Sequence, residues 1–394
     1  MTNPRVISIM GSTGSIGRSA IDVINFANEQ SANLQFDVDV LVAGTDSELL
    51  ASQAVQVGAK LAVVADEGKF DDLKARLNGS GIDCAAGETA IIEAARRPCD
   101  RHLAAIVGSA GLGSTLAAAE RGTDIAIANK ESIVCAGKVI LDAAAKSGAS
   151  VLPVDSEHNA IFQALQRKED VERLTITASG GPFLARSRDD CKNVSPDEAK
   201  AHPNWDMGIK NSIDSATLMN KALEFIEAAY LFDIDPDQID VLVHPQSIVH
   251  GMVHYKDGSV LAQLGTPDMK TPIAHALAWP ERIGTNVESL NLSDVAKLEF
   301  FPVDREKWPA ISLAKQALAL GSGGPTILNC ANEVAVAAFI AGDCGFLDID
   351  WVVQEALTRF SDGEFGNAGY GSLTDILELD RRGRELATTL VRQR

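Results

Sequence analysis

Residues 5–10 read Arg-Val-Ile-Ser-Ile-Met, and residues 11–17 read Gly-Ser-Thr-Gly-Ser-Ile-Gly. An apolar run that stops at Gly11, Gly14 and Gly17 and then opens into a helical pattern at about 16–27 leaves the chain few options. The run is a buried strand, since both of its faces are apolar. Gly11 permits a tight turn, Gly14 lets backbone approach a pyrophosphate, and Gly17 lets the helix pack on the strand. Phosphates would then sit on the unpaired N–H groups at the helix start. Ser12, Thr13 and Ser15 add hydroxyl donors. A ligand-free structural turn is the alternative, but strand, turn and helix within the first twenty residues favour a dinucleotide. The choice between NAD and NADP falls at the end of the second strand. Gly44-Thr45-Asp46 carries no Lys or Arg there, and Asp46 suits a ribose hydroxyl, so these residues leave the choice open.

Further strands are expected at 38–42, 61–64, 104–108 and 124–128, separated by helical stretches. That alternation argues for a doubly wound parallel sheet. Beyond residue 150 the texture changes. Strand-like runs at 174–177, 240–243, 251–255 and 260–264 have few helices between them, and 256–259 reads as a hairpin turn. Residues 180–209 are rich in Gly, Pro, Asp, Asn and Ser, as a lid or binding loop is. The stretch 280–308 reads as a linker. Helices follow at 310–320, 327–341, 351–360 and about 380–394, with Gly321 and Gly342 at cap positions.

The bulk numbers narrow the class. A chain of 394 residues exceeds one ordinary core. A formal charge of −19 makes nucleic acid and anionic membrane poor partners. No apolar run reaches membrane-spanning length. Six scattered cysteines without metal-like spacing read as reduced thiols of a cytoplasmic protein.

Three clusters carry chemistry. Asp155 and Glu157 end a strand-like run with i, i+2 spacing, which puts both carboxylates on one side of an extended chain. Hard oxygen ligands of this kind suit Mg²⁺ or Mn²⁺. A helix N-cap by Asp155 or Ser156 is equally compatible, and the two readings coexist. Asn220, Lys221 and Glu224 share a helix face, with Asp214 to Thr217 as the capping sequence. Amide and ammonium suit a phosphate and the acid suits a metal; an exposed Lys–Glu pair is the plain alternative. Glu227 reads as a surface or accessory acid. Lys130 follows a buried strand at the edge where open α/β sheets bind ligands. His202 and Trp205 lie in the long irregular segment, where a Trp in a polar loop covers something. Ser179-Gly180-Gly181 offers donors after a strand. His250 and His254 alternate along a strand without acid or Cys partners, so they are not assigned to metal.

Taken in order, GSTGSIG (11–17), ANKES (128–132), PVDSEHNAIFQ (153–163), SGGPF (179–183), HPNWDMG (202–208), DSATLMNKALE (214–224), HPQS (244–247) and AQLGTPDM (262–269) form a set. It closely resembles the 1-deoxy-D-xylulose 5-phosphate reductoisomerase family, from about residue 5 to the C-terminal helices. The resemblance implies an α/β chain with an N-terminal Rossmann-like NADPH domain (1–150). It implies a central α+β catalytic and dimerisation domain (151–279) with a flap at about 180–209, a linker (280–308) and a C-terminal helical domain (309–394). It implies Asp155, Glu157 and Glu224 as metal ligands. Ser179, Ser215, Asn220 and Lys221 match the substrate-phosphate site, and Lys130, Ser156 and Glu157 the positions around the substrate's hydroxyls. His202, Trp205 and Met207 match the flap. Thr13, Gly14, Ser15, Ile16, Asn129, Glu131 and Gly208 match cofactor contacts, with Gly11 and Gly44-Thr45-Asp46 completing that set. Family members often carry a basic residue or Asn where this chain has Thr45-Asp46.

The implied reaction rearranges a phosphorylated keto-sugar by retro-aldol cleavage and re-aldol joining, after which NADPH reduces the branched aldehyde. Such chemistry calls for a Lewis acid on carbonyl and hydroxyl oxygens. The catalytic residues expected are Lys130, Glu157 and His202. Lys130 and a metal-bound water are the candidate acid/base groups, with Glu157 as a proton shuttle. Two rival readings are a metal-assisted enzyme of another keto-sugar phosphate and a noncatalytic nucleotide-binding regulator.

Overall fold

The structure is a computed structural model and describes residues 4–30, 34–201, 208–321, 323–365 and 369–394. The chain forms two compact units. The first comprises Met1–Ser132, Ile140–Phe162 and Asp268–Glu288; the second comprises Ile133–Val139, Gln163–Pro267 and Ser289–Arg394. Helices of the N-terminal part are α1 (Ser15–Gln30), α2 (Ser47–Val57), α3 (Phe70–Arg76), α4 (Gly87–Ala95), α5 (Leu112–Arg121), α6 (Lys130–Ser147) and α7 (Ser156–Ala164). They are followed by α8 (Pro196–Ala199), α9 (Ile209–Ala216), α10 (Met219–Leu231), α11 (Lys270–Ala278) and α12 (Leu292–Val295). The C-terminal helices are α13 (Ala310–Ala319), α14 (Gly324–Ala341), α15 (Asp348–Ser361) and α16 (Leu373–Val391).

The first unit holds a parallel sheet of β1 (Arg5–Met10), β2 (Phe36–Ala43), β3 (Leu61–Val64), β4 (Asp83–Ala86), β5 (Arg101–Ala104), β6 (Asp124–Ile127) and β7 (Val151–Pro153). Their order is β4-β3-β2-β1-β5-β6-β7, so the winding reverses beside β1. In open sheets of this kind ligands bind at such a switch point. Ile7, Ile9, Val38, Leu41 and Leu103 of the strands bury against Ile21 and Ile24 of α1. α11 returns from far along the chain and adds Ile273 and Leu277 to the same core. Arg5 donates to the Leu277 carbonyl at 2.7 Å and Arg101 to the Trp279 carbonyl at 2.9 Å. The unit division therefore does not follow the expected boundaries at 150 and 279. β5 also departs from expectation. It spans Arg101–Ala104, and the apolar stretch expected at 104–108 is mostly the loop beyond it, with Val107 75% exposed. Buried Arg101 and His102 disguised the strand as polar.

The second unit holds β8 (Val171–Ala178), β9 (Ile239–Val243), β10 (Val249–Tyr255), β11 (Val260–Leu264) and β12 (Phe301–Pro302), in the order β11-β10-β8-β9-β12. β8 and β9 pair in parallel and the remaining pairs are antiparallel. β10 and β11 form the expected hairpin, with Gly258 at φ +87° in its turn. The stretch expected as a linker is partly sheet, because Phe301 pairs with Val243. α14 is long and apolar enough to span a membrane, which revises the expectation from composition. It is instead a core helix: 72% of its apolar window is buried, and it packs on α15 and α16. None of the six cysteines is in a disulfide; Cys135, Cys191 and Cys330 are buried and the others half-buried.

Candidate active site

The glycine turn gives each glycine a separate task. Gly11 has φ +99°, and a Cβ there would lie 2.4 Å from the Ala105 carbonyl oxygen after β5. A Cβ on Gly17 would lie 2.3 Å from the Gly11 carbonyl oxygen. Gly17 thus packs α1 onto the turn itself rather than onto the strand. Gly14 is exposed, and its nearest neighbour to a Cβ is the Gly11 oxygen at 3.5 Å. That open face, beside the first N–H groups of α1, has room for a pyrophosphate. Ser15 is exposed and Thr13 half-exposed, whereas Ser12 is fully buried. The expectation of three available hydroxyls is corrected to two. Ile16 packs partly against the core.

Gly44, Thr45 and Asp46 are exposed where β2 ends. Asp46 is the N-cap of α2 and accepts from the Leu49 N–H at 2.9 Å. Asn129 is the N-cap of α6 and accepts from Ser132 N–H at 2.9 Å. Its amide nitrogen donates to the carbonyls of Ile106 and Gly108, so it shapes the loop after β5 at the switch point. Glu131 follows in the first turn of α6 and is buried.

Adjacent parallel strands bring the polar residues after them together. β6 leads to Lys130 and β7 to Asp155, and Lys130 Nζ lies 2.6 Å from Asp155 Oδ2 with both side chains mostly covered. Asp155 and Glu157 offer carboxylate oxygens within 4.8 Å of one another. They converge because the chain turns from strand into α7, with Asn159 N–H bonded to the Asp155 carbonyl at 2.8 Å, and not because it is extended there. Ser156 donates to Glu157 at 2.5 Å. Half-buried carboxylates fit a hard divalent cation because they supply oxygen donors, and the Lys130 ammonium takes one oxygen of Asp155 in its place here.

In the second unit, Ser179 follows β8, and Gly180 and Gly181 come next with φ of +86° and +64°. A Cβ on Gly181 would lie 2.7 Å from the Ser215 carbonyl oxygen, so the absent side chain lets the Ser179 loop sit against Ser215. Asp214 to Ala216 form the last turn of α9, not the cap of α10. The residue capping α10 is Leu218, buried in the left-handed region at φ 60°. Side-chain residues rarely adopt that conformation without compensation elsewhere. This sharp joint places Ser215 at the end of one helix and Asn220 and Lys221 at the start of the next. Asn220 donates to Glu224 Oε1 and Lys221 to Glu224 Oε2. Lys221 and Glu224 are buried, so the pair is no solvated surface bridge. Glu227 is buried too, which removes the surface reading and leaves that of an accessory acid.

Gly208 is exposed at the start of α9. His202, Trp205 and Met207 lie outside the described residues. His250 and His254 have local partners, the Gly265 carbonyl at 3.2 Å and Thr175 Oγ1 at 2.9 Å.

Three family models match the chain: 1-deoxy-D-xylulose 5-phosphate reductoisomerase over residues 7–137, its C-terminal domain over 151–232, and the DXP reductoisomerase C-terminal domain over 264–386. The 1-deoxy-D-xylulose 5-phosphate reductoisomerase of Rhizobium meliloti (strain 1021) is 49% identical over 390 residues, covering 98% of each chain. The chain belongs to the 1-deoxy-D-xylulose 5-phosphate reductoisomerase family. Among solved structures, the reductoisomerase from Zymomonas mobilis in complex with NADPH has a TM-score of 0.92 and 44% identity, covering 99% of each chain. A DOX-P reductoisomerase in complex with NADPH, fosmidomycin and magnesium has a TM-score of 0.93 and 40% identity, covering 98% of each. The glycine turn, the Lys130–Asp155 pair and the Asn220–Glu224 helix all fall inside the matched segments of this family. Lys210, an i, i+4 partner of Asp214 at 2.9 Å, is a polar feature of this region that the motifs alone did not single out.

Proposed function

We propose that the chain catalyses the NADPH- and divalent-metal-dependent rearrangement and reduction of 1-deoxy-D-xylulose 5-phosphate to 2-C-methyl-D-erythritol 4-phosphate, in non-mevalonate isoprenoid precursor biosynthesis. The observation that carries this reading is family membership along nearly the whole chain, at 49% identity over 390 residues. Mg²⁺ or Mn²⁺ would be held by Asp155, Glu157 and Glu224. Both Glu224 oxygens accept hydrogen bonds, yet an ionised carboxylate has about four lone-pair sites and keeps capacity for a cation. When bound, the cation supplies Lewis acidity and NADPH supplies hydride.

The chain's own residues supply placement. Ser179, Ser215, Asn220 and Lys221 hold the substrate phosphate, and Glu224 orients the amide and the ammonium before the substrate arrives. Remote binding of this kind anchors the substrate in ground and transition states alike. Lys130 holds a proton at Nζ beside Asp155 and, with Ser156 and Glu157, receives the substrate's hydroxyls. His202, Trp205 and Met207 are assigned to a flap that excludes water. Gly11, Thr13 to Ile16, Gly44 to Asp46, Asn129, Glu131 and Gly208 contact NADPH.

The chain is proposed to work as a cytoplasmic homodimer. Six cysteines outside any disulfide suit a reducing compartment. β11 is an edge strand with Val260 and Leu261 48% and 37% exposed, a surface that asks for a partner. The deciding experiment follows NADPH oxidation with 1-deoxy-D-xylulose 5-phosphate, with and without Mg²⁺ or Mn²⁺. Metal-dependent turnover is expected; none under any metal overturns the reading. Sedimentation of the purified chain as a monomer would remove the dimer.

A further inference from the structure

Asp214 is fully buried one residue before Ser215. A carboxylate in that position is costly unless it is paired and hydrogen-bonded. Two groups meet it. Lys210 Nζ lies 2.9 Å from Oδ2 from one turn earlier in α9. Asn332 Nδ2 donates to Oδ1 at 2.9 Å from α14, 118 residues further along the chain. Asn332 is itself fully buried. The helix that carries it is fixed in turn, since neighbouring Glu333 pairs with Arg384 of α16, which also holds Asp380 at 2.7 Å. α9 has only eight residues, so pinning Asp214 sets the position of its last turn. Against that turn rests the Ser179 loop, where Gly181 leaves no room for a side chain.

We infer that Asp214 and Asn332 are positioning residues through which the C-terminal helices set the substrate-phosphate site. This rests on the assignment of Ser179, Ser215, Asn220 and Lys221 to phosphate in the proposed function. Asn332 touches no substrate; it holds Asp214, Asp214 holds the end of α9, and α9 presents Ser215 to the Ser179 loop. A displaced end of α9 weakens phosphate binding in ground and transition states alike, a loss that falls on KM rather than kcat.

The test compares three variants of the full chain. Asn332→Leu keeps the branched shape at a larger volume and removes the donor. Asn332→Ala leaves space for a water that can satisfy Asp214 in part, and so gives a milder case. Ser215→Ala reports on the phosphate site directly. Substrate KM, the inhibition constant of inorganic phosphate, kcat, NADPH KM and Tm are measured for each. For Asn332→Leu, substrate KM and the phosphate constant should rise about tenfold, with kcat and NADPH KM nearly unchanged. Asn332→Ala should shift in the same direction by less, and it decides the matter if the leucine variant does not fold. Raised constants in Ser215→Ala with unchanged constants in both Asn332 variants overturn the positioning inference alone. Unchanged constants in Ser215→Ala overturn the phosphate assignment itself. A fall in Tm and kcat at constant KM marks Asn332 as merely structural and also overturns the inference.

Discussion

The nucleotide turn of the first unit is built from backbone, and the proposed phosphate residues of the second, together with Glu224, are built from side chains. At the turn, glycines remove what would be in the way: Gly11 and Gly17 allow contacts that a Cβ would bring to 2.4 and 2.3 Å. Around Ser215 the work is done by added groups, with Lys221 and Glu224 buried together and Asp214 held from two helices. A backbone site is pre-organised by steric limits and tolerates changes only where space is open. A side-chain site is organised by buried charge, so removing one partner strands another.

The largest test of this contrast is Glu224→Gln. The substitution keeps the shape but removes a charge that both Asn220 and Lys221 meet. Turnover should fall roughly 10²–10³-fold, and the dependence on Mg²⁺ or Mn²⁺ should weaken. Full turnover with an unchanged metal titration would show that this carboxylate is neither ligand nor organiser.

Next come the glycines, where the effect should divide by position. Gly17→Ala forces a backbone clash and should cost about 1–3 kcal/mol of stability, read as a lower urea midpoint. Gly14→Ala meets open space, so its urea midpoint should hold while NADPH KM rises. If both variants lost stability alike, the turn would be a structural feature rather than a cradle with one free face.

Legibility in the sequence followed the same division. A backbone-built turn is written in consecutive residues, and β1, the three glycines and α1 were all readable from 5 to 30. The rule that ligands gather at strand ends pointed to Lys130, but its pairing with Asp155 came only from the adjacency of β6 and β7. What escaped detection depended on distant partners. β5 hides behind Arg101 and His102, polar residues that look unfit for a central strand until the sheet buries them. The helix at 270–278 gives no local sign that it completes the core of residues 7–43. Asp214 looked like a cap because Asp and Ser favour caps, whereas Leu218 takes that place in a conformation no propensity scale assigns to leucine.

A smaller effect concerns protons, and it compares the two units directly. Burial holds His102 of β5 and His250 of β10 down to about 4 from 6.5; His250 has a backbone carbonyl partner, whereas the His102 ring nitrogens have none among the described residues. A folded-state value below the unfolded one means stability is fully present above pH 6.5 and is lost as pH falls toward 4. For His102 the loss is about 2 kcal/mol at pH 5. His102→Leu should lessen the fall of the urea midpoint between pH 7 and pH 5, with the share from His250 remaining. An equal decline in parent and variant would place the acid sensitivity elsewhere.

The smallest expected effect lies at an exposed charged side chain of the proposed cofactor site. Asp46 is exposed at the end of β2, where a 2′-phosphate is read, and its carboxylate caps α2. Asn is as good a cap as Asp, so Asp46→Asn should leave the urea midpoint unchanged. It removes a negative charge that opposes the phosphate, and NADPH KM should fall roughly two- to fivefold at low salt, with the gain shrinking as salt rises. NADH has no phosphate there and should gain nothing; losing the ribose-directed carboxylate should weaken it slightly. If NADPH and NADH shifted together, the end of β2 would not discriminate between them, and selectivity would have to come from the backbone of the turn, extending to the whole cofactor site the rule already seen at Gly11 and Gly17.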